Sequence, residues 1–368
     1  MLYYATAAFG LEGAVSAELK RLGMKGVTAE NGGVYFSGNI DDALRCNIAS
    51  RFADRILLQV ADCECMTFED LFQTVKKVDW ENYATGIESI DISCKCARSK
   101  LMSTRDCQSV SKKAIIERLR ANGRIEYFPE SGPSLPVHIT IHNNRTRVFI
   151  NTSGAGLSRR GYRLLNGEAP IRETLASALV EFSPWRPGMH LHDPCCGTGT
   201  IPIEAALRKM HRAPGLNRRF AMDDLKKLSS VNAGSIRSDF KNEVITETDL
   251  MISGSDIDSE VLKLASFHQA KADIGEHIHF FQSSVSDLNM PADNGVFICN
   301  PPYGERLNDK KECAGIYHDL GLLKKRHSGW SLCAITADPS FERSFGKRAD
   351  RKRRLYNGTL ECTYYIYL

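Results

Sequence analysis

The chain has 368 residues, 42% of them hydrophobic and 25% charged, with a net charge of +4. This is ordinary globular composition with length for two or three domains, and no apolar stretch is long enough to cross a bilayer, which excludes a helical membrane protein. Twelve cysteines follow a start, Met1-Leu2-Tyr3-Tyr4, that has neither a basic leader nor a small-residue cleavage site, so a reducing cytoplasm is expected.

Residues 1 to about 65 read as a small α+β unit. Leu2 to Ala8 suits a strand, and Leu11, Val15, Leu19 and Leu22 fall at helical spacing before Gly23. Asn31-Gly32-Gly33 separates two strand-like runs, Asp41 to Arg51 is helical with Asn39 or Asp41 as N-cap, and Arg55 to Val60 resumes a strand. The order β-α-β-β-α-β is ferredoxin-like, a fold that implies no function by itself.

A second α+β unit runs from 66 to 157. Phe68 to Val75 and Ser109 to Leu119 read as helices, Ile90 to Cys96 as a strand, and His142-Asn143-Asn144-Arg145 as the turn of a hairpin. Between Arg98 and Arg124 there are eight Arg or Lys against two acids, with Lys112, Lys113, Arg118 and Arg120 on or near one side of the helix. Such a patch fits a polyanion, although taken singly it equally fits a solvated helix face. Cys63 with Cys65 and Cys94 with Cys96 are C-x-C pairs rather than the C-x2-C of zinc knuckles. At i,i+2 on a strand they put two small apolar side chains on one face, and no metal is expected.

The remainder, 158 to 368, begins with the basic connector Ser158-Arg159-Arg160-Gly161-Tyr162-Arg163 and a helix from Pro170 to Phe182. Strand His190-Leu191-His192 then runs into Asp193-Pro194-Cys195-Cys196-Gly197-Thr198-Gly199-Thr200 and a helix. A strand, a glycine turn and a helix open a doubly wound sheet, but the loop lacks the G-K-[ST] ending of a phosphate loop and the third glycine of the dinucleotide fingerprint. It suits a ligand carrying an amine, near Asp193, and a carboxylate, near the loop N–H groups. Asp256 ends the next strand, where a carboxylate can hold two ribose hydroxyls, while Asp258 is placed to cap the helix that follows. The 57 residues from Gly199 to Asp256 far exceed the roughly 20 of a nucleotide-binding unit, so a segment around Arg212 to Glu247 is inserted. Its Arg212, Arg218 and Arg219 suit either substrate contact or a surface excursion.

A third strand ends at Ser283-Ser284-Val285, and a fourth, Gly295 to Cys299, ends at Asn300-Pro301-Pro302-Tyr303. The Asn300 side-chain oxygen and the Pro301 carbonyl can accept from an exocyclic amino group, and Tyr303 offers a face to a flat ring. Alone, the tetrapeptide is as readily a proline turn that ends a strand. Seven basic residues against two acids lie between Glu342 and Arg354, and Asn357-Gly358 sits between two alternating runs as a hairpin signal.

These motifs, with Pro170-Ile171-Arg172-Glu173, Ala213-Pro214-Gly215-Leu216-Asn217-Arg218 and Gly304-Glu305-Arg306-Leu307, occur in an order that resembles the class I S-adenosylmethionine-dependent methyltransferases, specifically the THUMP-domain RNA guanine-N2 methyltransferases. The resemblance spans almost the whole chain. It implies an α/β protein with a ferredoxin-like unit (1–65), a THUMP RNA-binding domain (66–157) and a Rossmann-like methyltransferase domain (158–368) closed by a terminal antiparallel hairpin. The implied cofactor is S-adenosylmethionine, lined by Asp193, Cys195, Cys196, Gly197, Thr198, Gly199 and Thr200, by Asp256 and Ile257, and by Ser284 and Val285. Many relatives have Asp at the position of Ser284, so either its hydroxyl or a backbone N–H is left to read the adenine. Asn300, Pro301, Pro302 and Tyr303 are the implied catalytic residues. RNA, ribosomal before transfer, is the implied partner, gripped by Lys112, Lys113, Arg159, Arg160, Arg351, Lys352, Arg353 and Arg354. Adenine-N6 methylation of DNA or RNA and a non-catalytic RNA-binding role in ribosome assembly are the rival readings.

Overall fold

The structure, a computed structural model, describes residues 1–121, 132–163, 171–186, 188–246, 249–304 and 307–368, the stretch 307–310 by backbone only. Arg124, Pro170, Glu247, Glu305 and Arg306, all singled out above, lie outside the described residues.

Two seven-stranded sheets carry the chain. The first is built from β1 (Leu2–Thr6), α1 (Glu12–Arg21), β2 (Lys25–Glu30), β3 (Gly33–Ser37), α2 (Ile40–Ala49), β4 (Arg55–Glu64), α3 (Phe68–Lys76), β5 (Ser89–Ala97), α4 (Thr104–Ala121), β6 (Ser134–His142) and β7 (Arg145–Asn151). Its strand order is β2-β3-β1-β4-β7-β6-β5. The ferredoxin-like and second α+β units thus share one sheet, because β4 pairs with β1 along one edge and, from Leu57 to Glu64, with β7 along the other. Asn39 caps α2 in a reciprocal box with Asp42, and Thr67 does the same for α3 with Asp70.

The second sheet contains β8 (His190–Asp193), β9 (Ile252–Asp256), β10 (Ile278–Gln282), β11 (Gly295–Cys299), β12 (Trp330–Thr336), β13 (Arg351–Asn357) and β14 (Leu360–Tyr367), with helices α5 (Glu173–Phe182), α6 (Thr200–Lys209), α7 (Ala233–Asn242), α8 (Ser259–Lys271), α9 (Leu307–Arg326) and α10 (Phe341–Phe345) between them. The order is β10-β9-β8-β11-β12-β14-β13, parallel through β12 and antiparallel in the final hairpin. The expected Rossmann-like sheet with its terminal hairpin is present. Asn357 pairs with Leu360, so the two turn residues are Gly358 and Thr359, one later than the Asn-Gly signal suggests; Gly358 supplies the positive φ.

The inserted segment locks the two halves together. Gly215 N–H donates to the Ile48 carbonyl (2.8 Å) and Met222 N–H to that of Thr152 (3.0 Å). Ser230 and Asn232 both donate to Asp41, beside α2. Of the three arginines singled out above, Arg218 alone reaches across to the first half with its side chain. Arg212 is buried and paired with Asp273, Arg218 donates to the carbonyls of Ala155 and Gly156, and Arg219 pairs with Asp224. The segment is thus a clamp between the domains, an arrangement that neither reading above anticipates.

Candidate active site

The strand order reverses between β8 and β11, which leave the sheet in opposite directions of winding. Phe297 pairs with His192, so the loops that follow Asp193 and Cys299 leave adjacent strands at the same edge. This switch point is where doubly wound sheets bind ligands.

On the β8 side, Asp193 is buried, and its Oδ1 accepts from the Cys195 N–H (3.1 Å). Burial, with Asp256 nearby, pushes its carboxyl well above the usual carboxylate range. Among the described residues no cation pairs with it, and the ammonium of an amino-acid ligand would supply one. Burial likewise pushes the Cys195 and Cys196 thiols up, which leaves them protonated and unsuited to nucleophilic work. Gly199 has φ +80°, and a Cβ there would meet the Phe280 ring at 2.9 Å and Ala265 at 3.1 Å. The loop is therefore held close to the sheet, with Thr198 and Thr200 buried at the start of α6.

Asp256 ends β9 with its oxygens accepting from the Gly197 N–H (2.9 Å) and the Asp258 N–H (3.1 Å), so it ties the loop after β8 to the loop after β9 on one side of the crevice. Asp258 caps α8 as expected, accepting from the Glu260 N–H (2.8 Å). Ile257 is 71% exposed, an apolar side chain presented beside the loop. At the end of β10, the Ser284 hydroxyl donates to Asp287 Oδ2 (2.7 Å) and accepts from the Asp287 N–H (3.2 Å). It is engaged locally, next to a buried Val285.

Across the switch point, Asn300 and Tyr303 are half-buried, Pro301 is buried and Pro302 exposed. The Tyr303 hydroxyl donates to Asn300 Oδ1, and its ring packs on the core near Cys362. Burial pushes the phenol upward, so it stays protonated and remains a donor. The acceptor expected to receive an amino group is thus filled by an O–H of the same turn, and Tyr303 is not splayed for stacking. A residue the sequence did not flag holds this turn. Tyr317, on α9 and fully buried, donates to the Pro302 carbonyl (2.8 Å) and lies 3.3 Å from the Thr336 hydroxyl at the end of β12.

The basic residues expected to face RNA divide. Lys113, Arg159 and Arg351 to Arg354 are exposed, and Lys112 is half-buried. Arg351 to Arg354 line the edge strand β13, where Arg353 lies 3.8 Å over the Phe182 ring and Lys352 pairs with Glu342. Arg160 corrects the expectation. Its side chain is 2% exposed, it donates to the carbonyls of Ser50, Leu157 and Arg51, and it pairs with the fully buried Glu204. A guanidinium so enclosed cannot reach a phosphate. Arg118, also on the expected basic face, is held by Asp79 and Glu81.

A family model described as an RMKL-like methyltransferase domain matches residues 160–366. The chain belongs to the RMKL-like methyltransferases. Two further models match ahead of that domain, the RlmL ferredoxin-like domain over 3–57 and the THUMP domain over 65–151. This RMKL-like methyltransferase is 36% identical to "Putative RNA methyltransferase YpsC" of Bacillus subtilis, over 99% of this chain and 94% of the relative. It is 33% identical to "Ribosomal RNA large subunit methyltransferase K/L" of Magnetococcus marinus, of which it spans only 52%. Among solved structures, SMU.472 complexed with SAH superposes with a TM-score of 0.91 at 36% identity, covering all of this chain and 97% of that one. A Listeria monocytogenes protein called a "predicted N6-adenine-specific DNA methylase" superposes with a TM-score of 0.93 at 37% identity, covering 100% and 96%. The RMKL-like domain thus includes both sides of the switch point, and the basic helix α4 lies within the THUMP match. Among the described residues no helix is long and apolar enough to cross a membrane.

Proposed function

We propose that this S-adenosylmethionine-dependent RNA methyltransferase acts on the exocyclic N2 of a guanosine in structured RNA, large-subunit ribosomal RNA before transfer RNA. The observation that carries the reading is Asn300 at the end of β11, one strand from the glycine loop, with its Oδ1 already engaged by an O–H donor where an amino group would sit.

S-adenosylmethionine, when bound, supplies an electrophilic methyl group on a sulfonium. The protein's part is to hold both reactants. Asp193 would take the ammonium and Asp256 the ribose, and because the N–H groups of Cys195, Cys196, Gly197 and Gly199 are engaged within the fold, the carboxylate would fall to the N-terminus of α6. Ile257 and Val285 offer apolar contact to the adenine. With the Ser284 hydroxyl turned to Asp287, the backbone N–H groups of Ser284 and Val285 are the better readers of the adenine edge. The target base is drawn out of its stack, at a few kcal/mol. Its amino group then displaces the Tyr303 hydroxyl from Asn300, and Tyr303 is released to stack. Asn300 Oδ1 and the Pro301 carbonyl accept the two amino hydrogens and so aim the nitrogen lone pair. The nitrogen can shed its proton after attack, so no strong base is assigned.

Asn300→Ala is expected to keep cofactor affinity and lose methyl transfer by about 100-fold or more, the size of effect seen when a positioning donor or acceptor is removed. Wild-type turnover by the mutant would refute the assignment. Adenine-N6 transfer remains the second reading because of the name given to the Listeria structure. Nucleoside analysis of RNA and DNA incubated with labelled cofactor separates N2-methylguanosine from N6-methyladenosine. The chain spans about half the length of the K/L proteins.

A further inference from the structure

Away from the methyl-transfer site, three thiols from two elements of the first sheet converge. Cys94 and Cys96 project from β5 to the same side, and α4 folds back to bring in Cys107 from its first turn. Cys94 Sγ lies 3.6 Å from Cys96 Sγ, which lies 3.9 Å from Cys107 Sγ, and all three fall within 4.8 Å of one another. We propose that Cys94, Cys96 and Cys107 bind Zn2+.

The argument is one of donor type, spacing and access. Zinc–thiolate bonds of about 2.3 Å at tetrahedral angles put neighbouring sulfurs roughly 3.8 Å apart, close to the spacing seen, whereas a disulfide needs about 2.05 Å. Cys107 is buried, which fixes one ligand, while Cys94 and Cys96 are half-buried and open onto a cavity of about 510 Å³ lined also by Lys95, Thr104 and His142. The ion has an entry path there, and a fourth, exogenous ligand has room. The C-x-C spacing argued against a metal only while Cys107 was out of view. Burial and the neighbouring thiols push Cys94 up, and the same causes push Cys107 up to about 12, so these two thiols keep their protons at neutral pH when metal-free. Binding therefore releases those protons and strengthens as pH rises. The ion would tie β5 to the first turn of α4, the helix that carries Lys112 and Lys113.

The test uses the full chain, reduced and purified without chelator, with Zn2+ and Co2+ as probes. Expected are about one tightly held zinc per chain by elemental analysis and a sulfur-to-cobalt charge-transfer band on Co2+ substitution. Cys94→Ser, at the cavity wall, and Cys107→Ser each should weaken zinc binding about tenfold or more and abolish the band, with S-adenosylmethionine binding unchanged. Cys63→Ser, on exposed β4, should change neither. Zinc at background level with no cobalt band overturns the proposal, as do bands that survive both Ser variants. Uptake of Cu+ but not Zn2+ overturns the assignment to zinc.

Discussion

Replacing Arg160 with Ala discriminates between a phosphate contact and a structural staple. In the structure the guanidinium donates at 3.1, 2.8 and 2.6 Å to the carbonyls of Ser50, Leu157 and Arg51, and at 3.4 Å to Glu204. Glu204 is also the acceptor for Tyr162 (3.0 Å) and Ser177. Truncation leaves Glu204 as a buried acid without its cation, a change that typically costs about 3–5 kcal/mol, and strands up to three carbonyls besides. Because Ser50 and Arg51 follow α2 while Glu204 lies on α6, the loss falls on the junction between the two sheets. Against a stability of about 5–15 kcal/mol, that is a large share. Arg160→Lys should recover part of it, since an ammonium answers Glu204 but cannot serve three carbonyls in a fork. Urea unfolding followed by fluorescence reads the effect, with Trp80 reporting on the first half and Trp185 and Trp330 on the second, all buried. RNA affinity measured against salt supplies the second arm. Losing one phosphate contact lowers the slope of log K on log salt by about 0.7–0.9, which is expected for Arg353→Ala but not for Arg160→Ala. A mutant Arg160→Ala of wild-type stability with a reduced salt slope would show the reasoning to be wrong.

Tyr317→Phe removes the donor to the Pro302 carbonyl and should lose about 1 kcal/mol of stability. Turnover should fall with cofactor affinity unchanged; an unaltered kcat would mean the turn holds without it. Gly199→Ala forces a left-handed φ, at about 1–2 kcal/mol, and pushes the new Cβ onto Phe280, so cofactor affinity measured by calorimetry should drop about tenfold or more while the circular dichroism spectrum persists. His192 is buried between the Ser253 and Ser255 hydroxyls, and burial lowers its pKa from 6.5 to about 3. The unfolded chain then binds the extra proton below pH 6.5, so stability is lost as pH falls from 6.5 toward 3. The contribution is on the order of 5 kcal/mol at about 1.4 kcal/mol per unit. His192→Gln should flatten that acid limb in urea midpoints measured from pH 7 to 4, and an unchanged limb would place the proton elsewhere.

The parallel strands and the loops at their ends were legible because both are local. A buried strand is a short apolar run, and the residues that do chemistry follow it directly, as Asp193 follows His192 and Asn300 follows Cys299. Partners far along the chain were not. Arg160 sits in a run of basic residues that looks solvated, and only the fold brings Glu204, 44 positions on, against it. Cys107 joins Cys94 and Cys96 because α4 packs on β5, a contact that no spacing rule for strands contains. The shared first sheet was likewise hidden, since nothing in β4 announces that its second edge will pair with β7.

Asn300 shows where local reading stops short even when the residue is found. From the sequence, its side-chain oxygen is an open acceptor beside a ring ready to stack. In the structure the ring belongs to the same turn as the acceptor and its hydroxyl already holds that oxygen. One hydrogen bond therefore keeps two parts of the proposed base site in the closed arrangement, and a base with an amino group is the kind of ligand that can replace it in kind. Tyr303→Phe separates the two roles of this residue. It frees Asn300 but keeps an aromatic face, so it should leave turnover within a few-fold of wild type and lower KM for RNA, the hydrogen bond to be broken being worth about 1 kcal/mol. Tyr303→Ala should instead raise KM through the loss of about 1–3 kcal/mol of stacking. If Tyr303→Phe is as impaired as Tyr303→Ala in steady-state kinetics, the hydroxyl takes part in the reaction and its hold on Asn300 is not merely a placeholder for the base.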